Sequence, residues 1–135
     1  LNAREHKHVD VLWIEPEMKS RVISVDVIRD QLIHWEEMGS YVGGWKICVM
    51  LFADRLNEAS GNAFLKTLEE PGERTLFLLV TDKPAALLPT IISRCQRLDL
   101  NMGRIAPAEP WRTRVGEIMA RHANTSALRI YAPAR

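Results

Sequence analysis

Apolar residues in this chain form short continuous runs, separated by stretches in which they recur at helical spacing. Three runs of strand length lie at 9–14, 45–53 and 76–80, and a half-apolar run lies at 96–100. Short apolar runs bounded by turn residues are typical of strands buried in a parallel sheet. We therefore predict four strands, the last of them half buried.

Two stretches between these runs carry the apolar spacing of helices. The first is predicted over 25–38, with Ser24 as its N-cap and a stripe formed by Val25, Ile28, Leu32 and Trp35. The second lies within 57–71, where Asn57 is the predicted N-cap and Pro71 marks the end, because proline disfavours helical geometry in the residue before it. Strands alternating with helices predict an α/β fold with a mostly parallel sheet.

The chain is predicted to divide after residue 101. Residues 1–101 carry the strand–helix alternation, whereas 102–135 begin with a linker rich in proline and glycine. An amphipathic helix is predicted over 111–122 and a short terminal strand over 127–131. The apolar side of that helix consists of Val115, Ile118 and Met119.

Composition excludes several classes of protein. The chain is 47% hydrophobic and 26% charged, with a formal net charge of +1, so overall charge gives no argument for a nucleic-acid partner. Cys48 and Cys95 fit neither a disulfide framework nor a zinc site, and we expect no bound metal. No apolar run approaches the ~20 residues that span a bilayer, and a cytoplasmic location is expected.

One stretch of the second helix is specific enough to indicate a family. Residues 62–71 read NAFLKTLEEP, and Ser93-Arg94-Cys95 follows beyond the next strand. Together these motifs resemble those of the clamp-loader subunits of bacterial DNA polymerase III, and the likeness covers roughly residues 8–101. The resemblance implies an incomplete AAA+, P-loop NTPase-like, three-layer fold and a part in DNA replication.

The resemblance assigns roles around the second motif. Arg94 is implied to be a trans arginine that reaches a neighbouring subunit's ATP and stabilises transition-state charge there. Without the family resemblance, the sequence Ser93-Arg94-Cys95 indicates only a surface arginine between a helix and a strand. Cys95 is expected to be a small spacer, because no histidine lies near it in sequence, and Ser93 to cap or orient the loop.

We do not expect this chain to have a nucleotide-binding site of its own. Leu51-Phe52 stand where an AAA+ ATPase carries the acid pair that holds magnesium, and a hard cation requires oxygen ligands. No G-x-x-x-x-G-K-[ST] loop occurs, so no cofactor is predicted, and Asp54 is expected to start a turn. Within the family, this loss is typical of the delta-prime branch rather than gamma/tau.

Further residues match the family without a settled role. Thr81 stands at the sensor position at the end of a strand, and a plain strand-end threonine is an equal alternative. In the second helix we expect Lys66 to pair with a nearby glutamate rather than with DNA phosphate. The motif residues of that helix are Asn62, Lys66, Thr67, Glu69 and Glu70.

Three functions follow from these observations. The first is a non-catalytic clamp-loader subunit that contacts gamma/tau and delta subunits. It meets DNA only within the assembled complex, and the parent complex is a DNA-directed DNA polymerase. The second is a truncated ATPase core, which Leu51-Phe52 oppose. The third is a stand-alone interaction domain, favoured by residues 102–135, which resemble nothing in the family.

The resemblance also predicts a gap in the sheet. The family's first strand lies between those predicted at 75–80 and 96–100, and this chain is expected to lack it. Unpaired backbone groups at the centre of a sheet are costly, so another strand must fill the slot. The candidate is the strand at 127–131, either from the same chain or from a second copy in a strand-exchanged homodimer.

Overall fold

A computed structural model of the protein describes residues 8–98 and the backbone of 127–133. Its sheet comprises five strands, β1 (Val11–Ile14), β2 (Lys46–Leu51), β3 (Thr75–Thr81), β4 (Gln96–Arg97) and β5 (Ala127–Pro133). They lie in the order β1-β2-β3-β5-β4, and every pairing is parallel. The predicted α/β fold with a parallel sheet is confirmed, and the linker and helix predicted over 102–122 lie outside the described residues.

The terminal strand β5 fills the predicted gap. It pairs with β3 along its whole length, with Thr75 opposite Ala127 and Thr81 opposite Pro133. On its other side it pairs with the short strand β4. The predicted candidate, the strand at 127–131, thus occupies the gap, and it extends two residues beyond its predicted end.

The first predicted helix is a continuous helical stretch with an unexpected middle. It consists of α1 (Val25–Val27), a π-helical segment (Ile28–Ile33) and α2 (His34–Glu37). Ser24 caps it as predicted, since its hydroxyl accepts the backbone N–H of Val27 at 3.4 Å. Within the part of the chain that the structure describes, no helix has the length and apolar character needed to cross a bilayer.

The second predicted helix is α3 (Glu58–Glu69), and a reciprocal cap fixes its start. The side chain of Asn57 accepts the N–H of Ser60 at 2.8 Å, while the Ser60 hydroxyl accepts the N–H of Asn57 at 2.9 Å. After β3, a short helix α4 (Pro89–Ile92) packs beside α3. Because Gly61 has no side chain, Leu88 lies directly against the α3 backbone, and this close approach brings the residues after α4 near α3.

The main hydrophobic core lies between these helices and one face of the sheet. Its fully buried members include Phe64 of α3 and Phe77 of β3, and it takes in Trp35 as the sequence predicted. A second, smaller cluster on the other face is formed by Leu76, Leu98 and the residues around them.

Asp10 anchors the loop that leads into β2. Its carboxylate accepts the backbone N–H groups of Tyr41 at 2.8 Å and Val42 at 3.1 Å, and the hydroxyl of Ser40 at 2.9 Å. The pKa of Asp10 is lower than its ordinary value, and the main cause is the hydrogen bond from Tyr41. The bonds from Ser40 and Val42 and the nearby His8 also lower this pKa, whereas burial acts in the opposite direction.

We expect Asp10→Asn to lower the free energy of unfolding at neutral pH. A carboxylate whose pKa is lower in the folded chain contributes stability above its unfolded pKa of about 3.9, and that stability is lost as pH falls through the folded value. The deficit of the variant should therefore shrink below about pH 4, as measured by urea midpoints across pH. A deficit that stays constant into strong acid contradicts this account.

Candidate functional site

The two motifs singled out in the sequence meet at one surface of the molecule. Arg94 follows α4, and its Nε and Nη2 atoms donate to Oε1 of Glu69, the last residue of α3, at 3.0 and 2.5 Å. The side chains of Arg94 and Glu69 are 33% and 51% exposed. The helix that carries NAFLKTLEEP and the loop that carries SRC are thus joined by an ion pair at the surface.

A second set of bonds orients the guanidinium from its other side. Nη1 of Arg94 donates to the carbonyl of Thr90 at 2.8 Å and to the Ser93 hydroxyl at 3.4 Å. The Ser93 hydroxyl itself donates to the Thr90 carbonyl at 3.0 Å. Because an exposed ion pair is worth only about 0–1 kcal/mol, these bonds orient Arg94 more than they stabilise the fold.

The outer side of α3 continues this surface. Asn62, Lys66 and Glu69 are all exposed and are spaced four and three residues apart, which places them in one line along the helix. We call these three residues and Arg94 the motif surface. Glu70, which follows the helix, is also exposed, whereas Thr67 is buried beneath it.

The expected pair between Lys66 and a glutamate of its own helix is not formed. Glu69 accepts from Arg94 instead, and within residues 8–98 no ion pair joins Lys66 to Glu69 or Glu70. The physical reason is that a lysine pair along a helix contributes only about 0.2–0.5 kcal/mol, whereas the planar guanidinium offers several fixed donors to a carboxylate.

Thr81 belongs to a second cluster, at the carboxyl ends of β2 and β3. Its hydroxyl donates to Oδ1 of Asp54 at 2.6 Å and accepts the N–H of Lys83 at 3.0 Å. Thr81 is 1% exposed, and the side chain of Asp54 is 6% exposed. Thr81 thus links the ends of two neighbouring strands. These contacts are those expected of a strand-end threonine, the alternative to the family's sensor residue.

Asp54 starts a turn, as the sequence predicted. It lies in the 3-10 helix Ala53–Arg55 directly after β2, and Nε of Arg55 is 3.8 Å from its Oδ2. Among the residues that the structure describes, no three histidine, cysteine or acidic side chains lie close enough together to hold a metal ion.

The end of β2 differs from the sequence prediction. The strand was expected to reach residue 53, but it ends at Leu51, because Phe52 adopts a left-handed backbone conformation with φ 53°. Such a conformation is uncommon for a bulky residue, and it leaves the Phe52 side chain 53% exposed.

This aromatic side chain borders a cleft that sequence reasoning missed, since residue type gives no signal for a left-handed phenylalanine. The cleft has a volume of about 310 Å³ and is lined by Glu15, Pro16, Glu17, Met18, Arg21, Phe52 and Arg55.

The two cysteines lie in different surroundings. Burial raises the pKa of the Cys48 thiol far above its ordinary value, so this residue stays protonated within the core. Cys95 is half buried, packs against the main core and donates its N–H to the carbonyl of Ile92 at 3.1 Å. Its role as a spacer stays a prediction.

Comparisons with known proteins agree with the motifs. A family model described as "DNA polymerase III, delta subunit" matches residues 1–103. The DNA polymerase III subunit delta' of Pseudomonas aeruginosa is 36% identical over 107 residues, which is 79% of this chain and 32% of that protein. The subunit delta' of Escherichia coli is 38% identical over 89 residues, covering 66% of this chain and 26% of that protein.

Similarity extends to a second type of subunit and to a solved structure. The DNA polymerase III subunit tau of Bacillus subtilis is 37% identical over 90 residues, which is 67% of this chain and 15% of that protein. The crystal structure of a DNA polymerase III gamma subunit-related protein from Thermotoga maritima superposes with a TM-score of 0.63 at 32% identity, covering 84% of this chain and 37% of that one. This chain therefore spans about a third or less of the length of the curated relatives that it matches.

Proposed function

The chain belongs to the family described as DNA polymerase III, delta subunit, and from this premise we propose that it acts as a non-catalytic clamp-loader subunit in bacterial DNA replication. In this role it contacts a gamma/tau subunit and a delta subunit, and it meets DNA only within the assembled complex. The similarity to subunits named delta' and tau supports the proposal.

The observation that carries the proposal is the arrangement of Arg94 on the motif surface. Glu69 and the carbonyl of Thr90 hold the guanidinium in one orientation while a third of the side chain is exposed. A cation presented in this way suits the negative charge that develops on a γ-phosphate. In the proposal, Arg94 supplies that charge to the neighbouring subunit's ATP, and the motif surface contacts the same neighbour.

The proposal assigns no ATP hydrolysis to this chain itself. The end of β2 offers Leu51 and Phe52 in place of carboxylates, and the Thr81 hydroxyl donates to Asp54. The apolar pair opposes the alternative of a truncated ATPase core, because magnesium requires oxygen ligands.

Binding to a gamma/tau subunit tests the proposal. We expect Lys66→Glu, which reverses an exposed charge at the centre of the motif surface, to raise the Kd at least about tenfold, or ~1.4 kcal/mol. The measurement is calorimetric titration of the full chain against purified gamma/tau. Arg29→Glu, an equal reversal at an exposed position in the π-helical segment, is the matched control and should bind like wild type. Equal affinities for both variants contradict a role of the motif surface.

A second candidate is a stand-alone interaction domain, and one observation favours it. β5 completes the sheet from within the chain, so the domain closes without further subunits. A folded monomer of 15.4 kDa that binds neither gamma/tau nor delta in the same titration supports this candidate over the clamp-loader role. A strand-exchanged homodimer, in which β5 comes from a second copy, satisfies the same backbone pairing and doubles that mass.

A further inference from the structure

Glu69 meets the guanidinium of Arg94 in a way that fixes one edge of it. The Nε and Nη2 atoms of Arg94 both donate to the same oxygen, Oε1, at 3.0 and 2.5 Å. These two nitrogen atoms form one edge of a planar group, so two bonds to one oxygen define where that edge lies. Nη1 donates to the carbonyl of Thr90 at 2.8 Å. Each of the three guanidinium nitrogen atoms therefore has an acceptor within the chain itself.

The backbones that carry the two side chains are both anchored. Leu68, immediately before Glu69, is fully buried in the main core. Arg94 donates its backbone N–H to the carbonyl of Ile91 at 3.0 Å, and Ile91 is fully buried in the same core. The acceptor and the donor thus extend from two packed elements, and the position of one side chain restricts the other.

Restricting an arginine before it meets its ligand has a kinetic consequence. A long side chain has many rotamers, and a bond to phosphate must compensate for the freedom that is lost when one rotamer is selected. An acceptor that selects the rotamer beforehand reduces that loss. A charge that is already in place also stabilises a transition state better than one that must be reorganised during the reaction.

We propose that Glu69 is a positioning residue, whose carboxylate orders Arg94 for the neighbouring subunit's ATP and affects turnover only through Arg94. This inference rests on the proposed function. Glu73 provides a matched comparison, because it is an exposed glutamate four residues further along the chain. Within the part of the chain that the structure describes, no hydrogen bond or ion pair joins Glu73 to Arg94.

Single-turnover ATP hydrolysis in the reconstituted complex measures the effect of Glu69. We expect Glu69→Ala to lower the maximal rate about tenfold and to change the half-saturating ATP concentration by less than about twofold. Glu69→Gln keeps an acceptor oxygen at the same position along the side chain and should recover to within about threefold of wild type. Glu73→Ala removes the same charge elsewhere and should turn over like wild type.

Two results of this assay overturn the proposal. Equal rates for Glu69→Ala and Glu73→Ala show that the carboxylate of Glu69 has no part in turnover. A rate above wild type for Glu69→Ala shows that the carboxylate restrains Arg94 or repels the phosphate, which is the opposite of positioning.

The double variant Glu69→Ala/Arg94→Ala shows whether Glu69 acts through Arg94. We expect its rate to equal that of Arg94→Ala within about twofold, because an ordering residue has no effect once the residue that it orders is absent. A further tenfold loss in the double variant shows that Glu69 acts on the reaction by itself and overturns the positioning role.

NMR of the isolated full chain separates this inference from the proposed function. The Nε–H of Arg94 gives a signal whose hydrogen exchange is followed at mildly acidic pH. We expect this exchange to be at least about tenfold faster in Glu69→Ala than in wild type or in Glu73→Ala. Unchanged exchange overturns the proposal, whatever the turnover. Faster exchange together with normal turnover for Arg94→Ala contradicts the proposed function, while the ordering of Arg94 by Glu69 stands.

Discussion

Replacing Arg94 by alanine is expected to lower ATP turnover at the neighbouring subunit's site by about a thousandfold, the lower end of the effect of an arginine finger. The reason is that a guanidinium on the γ-phosphate acts mainly in the transition state, so its loss lowers kcat more than it raises KM. The measurement is single-turnover hydrolysis in a complex reconstituted from this chain and its partners, with the other ATP sites inactivated.

Three controls separate charge, geometry and assembly. Arg94→Lys keeps the charge but loses the planar fork that donates to Glu69, so we expect it to recover only part of the rate. Arg97→Ala removes another exposed arginine, in β4, and should leave turnover unchanged. Affinity for gamma/tau is measured for each variant as well, so that turnover is compared only between complexes that have assembled. Normal turnover with Arg94→Ala in an assembled complex refutes the trans arginine.

The sequence predicted the elements of this fold better than their details. Apolar runs located β1, β2 and β3, because a buried strand needs apolar residues on both faces. The half-buried strand predicted over 96–100 is shorter in the structure, where β4 is Gln96–Arg97 and both residues are exposed. The π-helical segment was missed, since the apolar stripe that contains Ile28 and Leu32 is compatible with either helix type. The end of β2 was placed two residues late, because the left-handed conformation of Phe52 leaves no mark in residue type.

The residues of the site were predictable, but most of their partners were not. The SRC motif identified Arg94 and Ser93, and the helix motif identified Glu69. The pair between Arg94 and Glu69 spans 25 residues, and the bond from Thr81 to Asp54 spans 27. Spacing rules describe neighbours on one helix, and for that reason they favoured Lys66 as the partner of Glu69. The observed pair depends instead on α4 packing against α3.

Truncating Phe64 to alanine should lower the free energy of unfolding by about 3–5 kcal/mol. Phe64 is fully buried on the inner side of α3 and meets Phe77 of β3 edge to face, with ring centroids 5.5 Å apart and planes at 78°. The variant loses the transfer energy of the ring and leaves a cavity, and the lost aromatic contact contributes about 0.5–1.5 kcal/mol of its own. Urea unfolding followed by circular dichroism measures the loss, which is a large part of the 5–15 kcal/mol typical of a domain.

Two further substitutions on α3 show whether this loss belongs to the inner side of the helix alone. Phe64→Leu keeps most of the volume and should cost less than about 1.5 kcal/mol. Asn62→Ala changes an exposed residue of the motif surface and should stay within about 0.5 kcal/mol of wild type. If Phe64→Ala is no worse than Asn62→Ala, α3 does not pack on β3 as described. Glu69, which accepts the hydrogen bond from Arg94, belongs to the same helix. If α3 is not packed on β3, Glu69 is not held in place to orient Arg94 as the proposed function requires.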